Sequence, residues 1–282
     1  RTFLAAADTG SFAAAAQRVN ASPPTVTERI KQLEHHLRVR LFERDRRGCR
    51  LTPEGKRFVD PARKMVRAWD EGREHVALPA KFLQSVRIGG QHALWPNVLV
   101  PWLETVRKAR PGLAIRACSA APAQLNRDLE RGNLDIAFLY EPLVAKGLRM
   151  QRLVVDRLIL VTANPALDWR ENFARLDWGQ AVSAQLSALI GELPNPGLEL
   201  DLGIASLDWL MSIGASGFVP EQLARHAIEA GRLVAIAGTP TLEFSPYVCW
   251  RGSLQKDLTD FLVGEAKAQV DRSRAQNSNL AP

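Results

Sequence analysis

Ser22-Pro23-Pro24-Thr25-Val26-Thr27-Glu28-Arg29-Ile30-Lys31-Gln32-Leu33-Glu34-His35-His36-Leu37 is the stretch from which the rest of the chain is read. Ser suits the N-cap and Pro the first helical position, so a helix is expected over 23–37. Val26, Ile30, Leu33 and Leu37 are spaced i, i+4, i+7, i+11 and predict one buried stripe. The opposite face carries Pro24, Thr25, Glu28, Lys31, Gln32 and His35, with Arg29 at its flank. Upstream, Ser11 is a second N-cap before Phe12-Ala13-Ala14-Ala15-Ala16-Gln17-Arg18-Val19. That alanine run favours a helix and lets another helix approach closely. Asn20-Ala21 breaks it. Two short helices across a tight turn, the second polar outside, make a helix-turn-helix. In such motifs the N-terminal part of the second helix enters the major groove. Thr hydroxyls, Gln and Lys can read base edges or grip phosphate oxygens, and the helix N-terminus adds N–H groups. An ordinary amphipathic helix has the same pattern, so the pair alone does not decide.

The next segment of the chain adds weight. Leu41-Phe42-Glu43-Arg44 predicts a short strand, Asp45-Arg46-Arg47-Gly48-Cys49-Arg50 a basic turn, and Leu51-Thr52 a returning strand. A helix-turn-helix joined to a basic hairpin is a winged helix. Arg44, Arg46, Arg47 and Arg50 would then reach the DNA backbone or minor groove.

The charge is placed accordingly. The chain has 282 residues and a net charge of +7. Residues 1–85 hold 17 Lys+Arg against 10 Asp+Glu, and residues 86–282 hold 20 of each. A basic module on a neutral body suggests a polyanion partner for that module. The length predicts about two domains. No apolar run reaches the roughly 18–20 residues that span a bilayer. The start shows no secretory signal, and because it is Arg1 and not Met, a few residues are expected ahead of it. Cys49, Cys118 and Cys249 are sparse and odd in number, which suggests reduced thiols in a cytoplasmic protein.

The segments Arg1-Thr2-Phe3-Leu4, Gly10-Ser11-Phe12, Ala15-Ala16, Ser22 to Thr27, Ile30 to Glu34, Leu41 to Arg44 and Leu51-Thr52-Pro53-Glu54-Gly55 occur in linked order and spacing. That string resembles the DNA-binding domain of LysR-type transcriptional regulators. The resemblance implies promoter DNA as partner, with candidate DNA-binding residues Ser11, Ser22, Pro24, Thr25, Thr27, Glu28, Arg29, Lys31, Gln32, Arg46, Arg47 and Arg50. One departure is visible: the family usually has Gly after the leucine ending the recognition helix, where this chain has Arg38. Arg is less suited to a left-handed cap.

Thr52-Pro53-Glu54 opens a long helical segment. Phe58, Ala62, Met65, Trp69, Gly72 and Val76 have heptad spacing. Pro61 should kink this helix, and Leu78-Pro79 should end it. A heptad stripe is commonly packing against its own domain. The resemblance implies instead a dimerising linker, with Phe58, Ala62, Met65, Trp69 and Val76 at the interface of a homodimer or tetramer.

Beyond residue 85, strands are predicted at 86–90, 113–118 and 134–140, alternating with helices at about 95–109 and 124–131. Such alternation with buried strands argues for a parallel α/β sheet. A second such unit is expected over about 161–238, with a helix at Trp209-Leu210-Met211. A strand at Val248-Cys249-Trp250 returns to the first unit, a helix over about 254–270 closes it, and the tail from Asp271 is expected to fray. Arg87-Ile88-Gly89, Arg110-Pro111-Gly112, Gly132 to Ala137, Gly217 to Pro220 and Gly231-Arg232-Leu233 resemble the LysR-type effector domain, which is built like a periplasmic binding protein. The fold class expected is α/β, with three parts. These are a winged helix-turn-helix at 1–56, a linker helix at 57–84 and a two-lobed effector domain at 85–282. Lobe I would take about 85–160 and 245–282, and lobe II about 161–244.

In open α/β sheets, ligands bind beyond the C-terminal strand ends. That rule nominates Gly90, Gln91, His92, Ser119 and Tyr140 in the first lobe and Trp178, Gly179 and Gln180 in the second. Plain capping or loop packing is the alternative for each. Free N–H groups and neutral donors suit a carboxylate-bearing effector, whereas an inward Glu141 would suit a positive group. In many family members the position of Gln91 holds Ser or Thr.

No cofactor is expected. His35 and His36 point to different helix faces, and His75, His92 and His226 lack a partner at ligand spacing. Gly214-Ala215-Ser216-Gly217 fails the spacing of a hydrolase elbow, and no phosphate-binding glycine loop is present. The expectation is a cytoplasmic DNA-binding regulator, not an enzyme, controlled by a small effector between its lobes. A ligand-independent regulator whose second domain only assembles subunits is the alternative.

Overall fold

The computed structural model describes residues 1–45, 48–191, 197–200 and 202–278. They form two compact units, Arg1–Pro79 and Ala80–Pro282.

The first unit begins with α1 (Thr2–Thr9), a helix without a distinctive sequence pattern. Helix α2 (Phe12–Arg18) starts at Ser11, whose hydroxyl accepts from Ala14 N. Helix α3 (Pro23–Leu37) has the expected bounds, and Ser22 caps it by accepting from Thr25 N. Val26 and Ile30 are buried and Leu33 is half-buried, whereas Leu37 is exposed, so the stripe stops one turn early. Arg38 takes the left-handed conformation (φ 57°) and its N–H reaches back to the carbonyls of Glu34 and His35. Arg thus performs the turn that Gly makes without a Cβ penalty. Strands β1 (Phe42–Asp45) and β2 (Gly48–Leu51) pair antiparallel, with Asp45 opposite Gly48. The hairpin is tighter than expected: Gly48, Cys49 and Arg50 belong to the strand and not the turn, because the ladder continues to Asp45.

Helix α4 runs over Pro53–Ala77 with Pro61 inside it. Thr52 caps it through Gly55 N. A Cβ at Gly55 would meet Leu41 O at 2.1 Å, so only Gly lets this helix start against the wing. Phe3 meets Phe42 and Phe58 at ring centroid distances of 5.4 and 5.2 Å, and Ala62 is buried in the same core. The first half of α4 thus also packs into the winged-helix core.

In the second unit, β3 (Gln84–Gly90) leads into a 3-10 turn (His92–Leu94), a π turn (Trp95–Leu99) and α5 (Val100–Ala109). Then come β4 (Leu113–Ser119), α6 (Pro122–Arg131), β5 (Ile136–Leu139) and β6 (Leu148–Arg152). Strand β3 is parallel to β4 and β5. The second lobe contains β7 (Arg157–Thr162), β8 (Arg175–Leu176), α7 (Gln180–Ile190), β9 (Glu199–Leu200) and α8 (Ala205–Ile213). It continues with β10 (Ser216–Pro220), α9 (Glu221–Glu229), β11 (Val234–Ala235) and β12 (Leu242–Glu243). Strand β13 (Tyr247–Arg251) then returns to the first sheet, giving the order β4-β3-β5-β13-β6, and α10 (Lys256–Ser278) closes the unit. The helix continues through the segment expected to fray.

The parallel expectation holds for β3, β4 and β5 but not for the second lobe. There β10, β11 and β12 all pair antiparallel with β7. Strands β8 and β9, two residues each, form a short parallel pair. The lobe boundary also moves: all of β7 lies in the second sheet, so the chain crosses at 153–156 and not at 160. Two crossing segments run side by side. Leu153 N donates to Pro246 O, Phe244 N to Asp156 O and Asp156 N to Ser245 Oγ.

Candidate DNA-binding and ligand sites

The outer face of α3 is polar and accessible. Pro24, Glu28, Arg29, Lys31, Gln32 and His35 are solvent-facing to differing degrees, and Thr25 and Thr27 are half-buried. Ser22 Oγ lies 2.8 Å from Thr25 Oγ1, so Ser22 both caps the helix and orients that hydroxyl. Gln32 Nε2 donates to Glu28 Oε1 at 3.3 Å, one turn apart on the same face. On β2, Arg50 is exposed; Arg46 and Arg47 lie outside the described residues. Ser11 acts as the α2 cap.

On α4 the heptad residues divide. Phe58 and Ala62 are used within their own unit. Met65, Trp69 and Val76 are 56%, 68% and 86% exposed.

The strand-end residues of the second unit also divide. Gln91 is buried; its backbone N–H donates to Phe138 O and its Oε1 accepts from Tyr140 N. It therefore locks the end of β5 as well as facing the cleft. Ser119 Oγ lies 2.6 Å from His92 Nδ1. Gln91, His92 and Trp178 share one opening with Asp177 and Gly203, but its volume is only about 20 Å³. Trp178 is buried and donates its indole N–H to Phe218 O, so it is core. Gly179 precedes α7 with φ 120°, and a Cβ there would meet the Glu141 carboxylate at 2.4–2.6 Å. The Glu141 carboxylate thus lies against Gly179 at the start of α7. Burial, then the neighbouring Asp177, raises its pKa. Gln180 opens α7, and its side chain lies outside the described residues. Tyr140 is buried, stacks on Phe244 at 4.3 Å and faces a different, larger cavity. Trp178 meets the same Phe244 edge-on at 6.0 Å. The nominated side chains therefore do not share one pocket: Tyr140 is separated from Trp178 by Phe244.

Residues 1–56 match the family described as bacterial regulatory helix-turn-helix protein, lysR family, and residues 81–262 match the LysR substrate binding domain. The chain belongs to the LysR family. Similar proteins carry the name HTH-type transcriptional regulator HdfR. One from Yersinia enterocolitica is 28% identical, over 89% of this chain and 88% of the relative. One from Salmonella newport is 29% identical, over 94% and 98%. Among solved structures, full-length LysG from Corynebacterium glutamicum with bound effector Arg has a TM-score of 0.60 at 22% identity, covering 94% of this chain and 95% of LysG. ArgP from Mycobacterium tuberculosis has 0.59 at 18% identity, covering 95% and 94%. This LysR-type chain is thus a DNA-binding transcriptional regulator with a substrate-binding domain, and its winged helix and two-lobed α/β unit have the family's architecture.

The site that sequence reasoning missed in this LysR-family protein is the larger cavity, of about 690 Å³, bounded by both lobes and the crossing segments. Its wall includes Leu94 and Val98 from the first lobe, Leu207 and Met211 from α8, and Leu223 from α9. Asp156 is in that wall and only 3% exposed. Its Oδ1 accepts from Arg157 N and Gln222 N; its Oδ2 has no hydrogen-bond partner. Burial, the largest cause, pushes its pKa up to about 6. Among the described residues, no group of three or more metal-type side chains exists and no helix is long and apolar enough to cross a membrane.

Proposed function

We infer that this protein binds promoter DNA through α3 and the wing, acts as a homo-oligomer in the cytoplasm, and responds to a small molecule held between its lobes. The observation that carries the DNA reading is the accessible polar face of α3 beside a hairpin with exposed Arg50. Thr25, Thr27, Glu28, Lys31 and Gln32 are the residues for base edges and nearby phosphates, with Arg29, Arg46, Arg47 and Arg50 as phosphate or minor-groove contacts. Ser11, Ser22 and Pro24 place helix N-termini near the backbone. A two-fold dimer presents two such heads to an inverted repeat. Exposed Met65, Trp69 and Val76 on α4 support a subunit contact there.

For the C-terminal unit, ligand control is supported by the two-lobed architecture and by LysG, whose structure contains its effector Arg. One observation favours the ligand-independent alternative: the strand-end opening around Gln91, His92 and Trp178 is closed to about 20 Å³, roughly the room for one water. The test is a titration of full-length protein into labelled DNA from the promoter beside its gene, with and without a metabolite library. A salt-dependent complex whose affinity a metabolite changes supports the reading. A complex that no compound alters supports the alternative, and no complex overturns both.

A further inference from the structure

We propose that Glu28 is a specificity-determining residue of α3 that accepts a hydrogen bond from the N4 amino group of a cytosine in the major groove. This rests on the reading of α3 as the helix that contacts base edges, and it assigns the base that one of those side chains requires. Three observations carry it. Glu28 is exposed on the outer face of α3 and stands in its second turn, in the N-terminal half that such helices place in the groove. Its Oε1 accepts from Gln32 Nε2 at 3.3 Å, so a neutral amide holds the carboxylate along the helix. Among the described residues no Lys or Arg comes within ion-pair distance of it, although Lys31 is one turn away and the first 85 residues hold 17 Lys+Arg against 10 Asp+Glu.

A carboxylate without a cation costs affinity on a surface that meets a polyanion. Every phosphate repels it, so it weakens binding to DNA in general. Ionised, it has no proton to give and can only accept. Of the four base edges in the major groove, guanine shows two acceptors and thymine an acceptor and a methyl group, so neither offers it a donor. Adenine sets its N7 acceptor beside its N6 amine, and the carboxylate would face both. Cytosine presents the N4 amine alone, and an acidic side chain pairs with that group. Thr25, whose hydroxyl Ser22 orients, lies three positions before Glu28, and Gln32 lies four after it, so the three side chains form one line on the outer face. That line sets Glu28 between two side chains able to contact neighbouring base pairs. The repulsion from phosphate is offset only where the cytosine is present, so Glu28 contributes more to discrimination than to affinity.

The experiment selects sites for the full chain from double-stranded DNA with a randomised segment and sequences the bound fraction. Wild type should enrich an inverted repeat with one position per half-site at which cytosine is preferred by about tenfold or more. Glu28→Gln and Glu28→Ala should lose that preference and keep the rest of the motif. Both should also bind DNA of scrambled sequence more tightly, because a repelling charge is gone. Glu28 is exposed, so the melting temperature of both variants should match wild type, which separates a lost contact from a lost fold. Guanine, thymine or adenine at the Glu28-dependent position would overturn the proposal, as would an equal gain in affinity for every sequence. If wild type enriches a motif whose base weights both variants retain, the winged helix reads DNA without Glu28, and only this assignment falls. If wild type enriches no motif, the DNA reading falls with it.

Discussion

Glu34 Oε1 accepts hydrogen bonds from the backbone N–H groups of Leu41 (2.7 Å) and Phe42 (3.1 Å). One carboxylate near the end of α3 thereby fixes where the wing begins, across a turn made by left-handed Arg38. Hydrogen bonds to a charged group contribute about 1.5–3 kcal/mol, so Glu34→Ala should destabilise the first unit by about that amount. Glu34→Gln keeps an acceptor and should recover part of it. Urea unfolding measures both.

Arg38→Gly should act the other way. Removing the Cβ relieves a left-handed strain of roughly 1–2 kcal/mol, partly offset by the freedom Gly gains in the unfolded chain. The expected gain is below about 1 kcal/mol in the same unfolding measurement.

The division of the α4 stripe gives a contrast between neighbours. Trp69→Ala and Met65→Ala should weaken subunit association and leave the unit's own unfolding nearly unchanged, since both side chains are exposed in the single chain. Phe58→Ala should instead destabilise the fold by about 2–4 kcal/mol, because its ring packs on Phe3. Sedimentation velocity and thermal unfolding separate the two effects. Loss of association with Phe58 alone would contradict the assignment.

Asp156 sets a pH dependence. Its folded pKa is raised to about 6 from an ordinary 3.8, so its contribution is favourable below about pH 4 and is lost as pH rises through 6. Tyr140, Arg157, Glu221 and Arg225 are ionisable groups acting on or with it, and His226 lies on the same cavity. Asp156→Asn should therefore stabilise the ligand-free protein at pH 8 by an amount on the order of 2–3 kcal/mol and change it little at pH 4. A stability difference that grows toward low pH would contradict this.

The closed strand-end cleft makes a further prediction. Asp177 lines it and opposes the charge of nearby Glu141, and Gly179 makes room for the Glu141 carboxylate. Glu141→Gln should favour the closed arrangement, whereas Gly179→Ala should open it. Slower hydrogen exchange at 91–93 and 177–183 in the first variant and faster exchange in the second are the expected readouts.

The DNA-reading helix is legible in the sequence because its signals are local: Ser22, Pro23 and a Val26–Ile30 stripe all lie within about two turns. Helix α1 is not, since Arg1 makes no side-chain cap and the helix is held by packing of Phe3 on distant Phe42 and Phe58. The second lobe reads as parallel because strands and helices alternate in sequence there. Alternation does not reveal that β10, β11 and β12 each return against β7. Position at strand ends nominates Tyr140 and Trp178, yet both are consumed by the aromatic row through Phe244. Asp156 carries no sequence pattern at all. Its significance comes from contacts to Gln222 and Ser245, which are distant in sequence.

Fluorescence anisotropy of the full chain on its promoter and on scrambled DNA, across a salt series, decides whether α3 reads sequence. Gln32→Ala or Thr25→Ala should cost about 1–3 kcal/mol on the promoter and little on scrambled DNA, whereas Arg50→Ala should weaken both and flatten the salt slope. Unchanged promoter affinity and unchanged salt slope in folded variants would contradict DNA recognition by this winged helix.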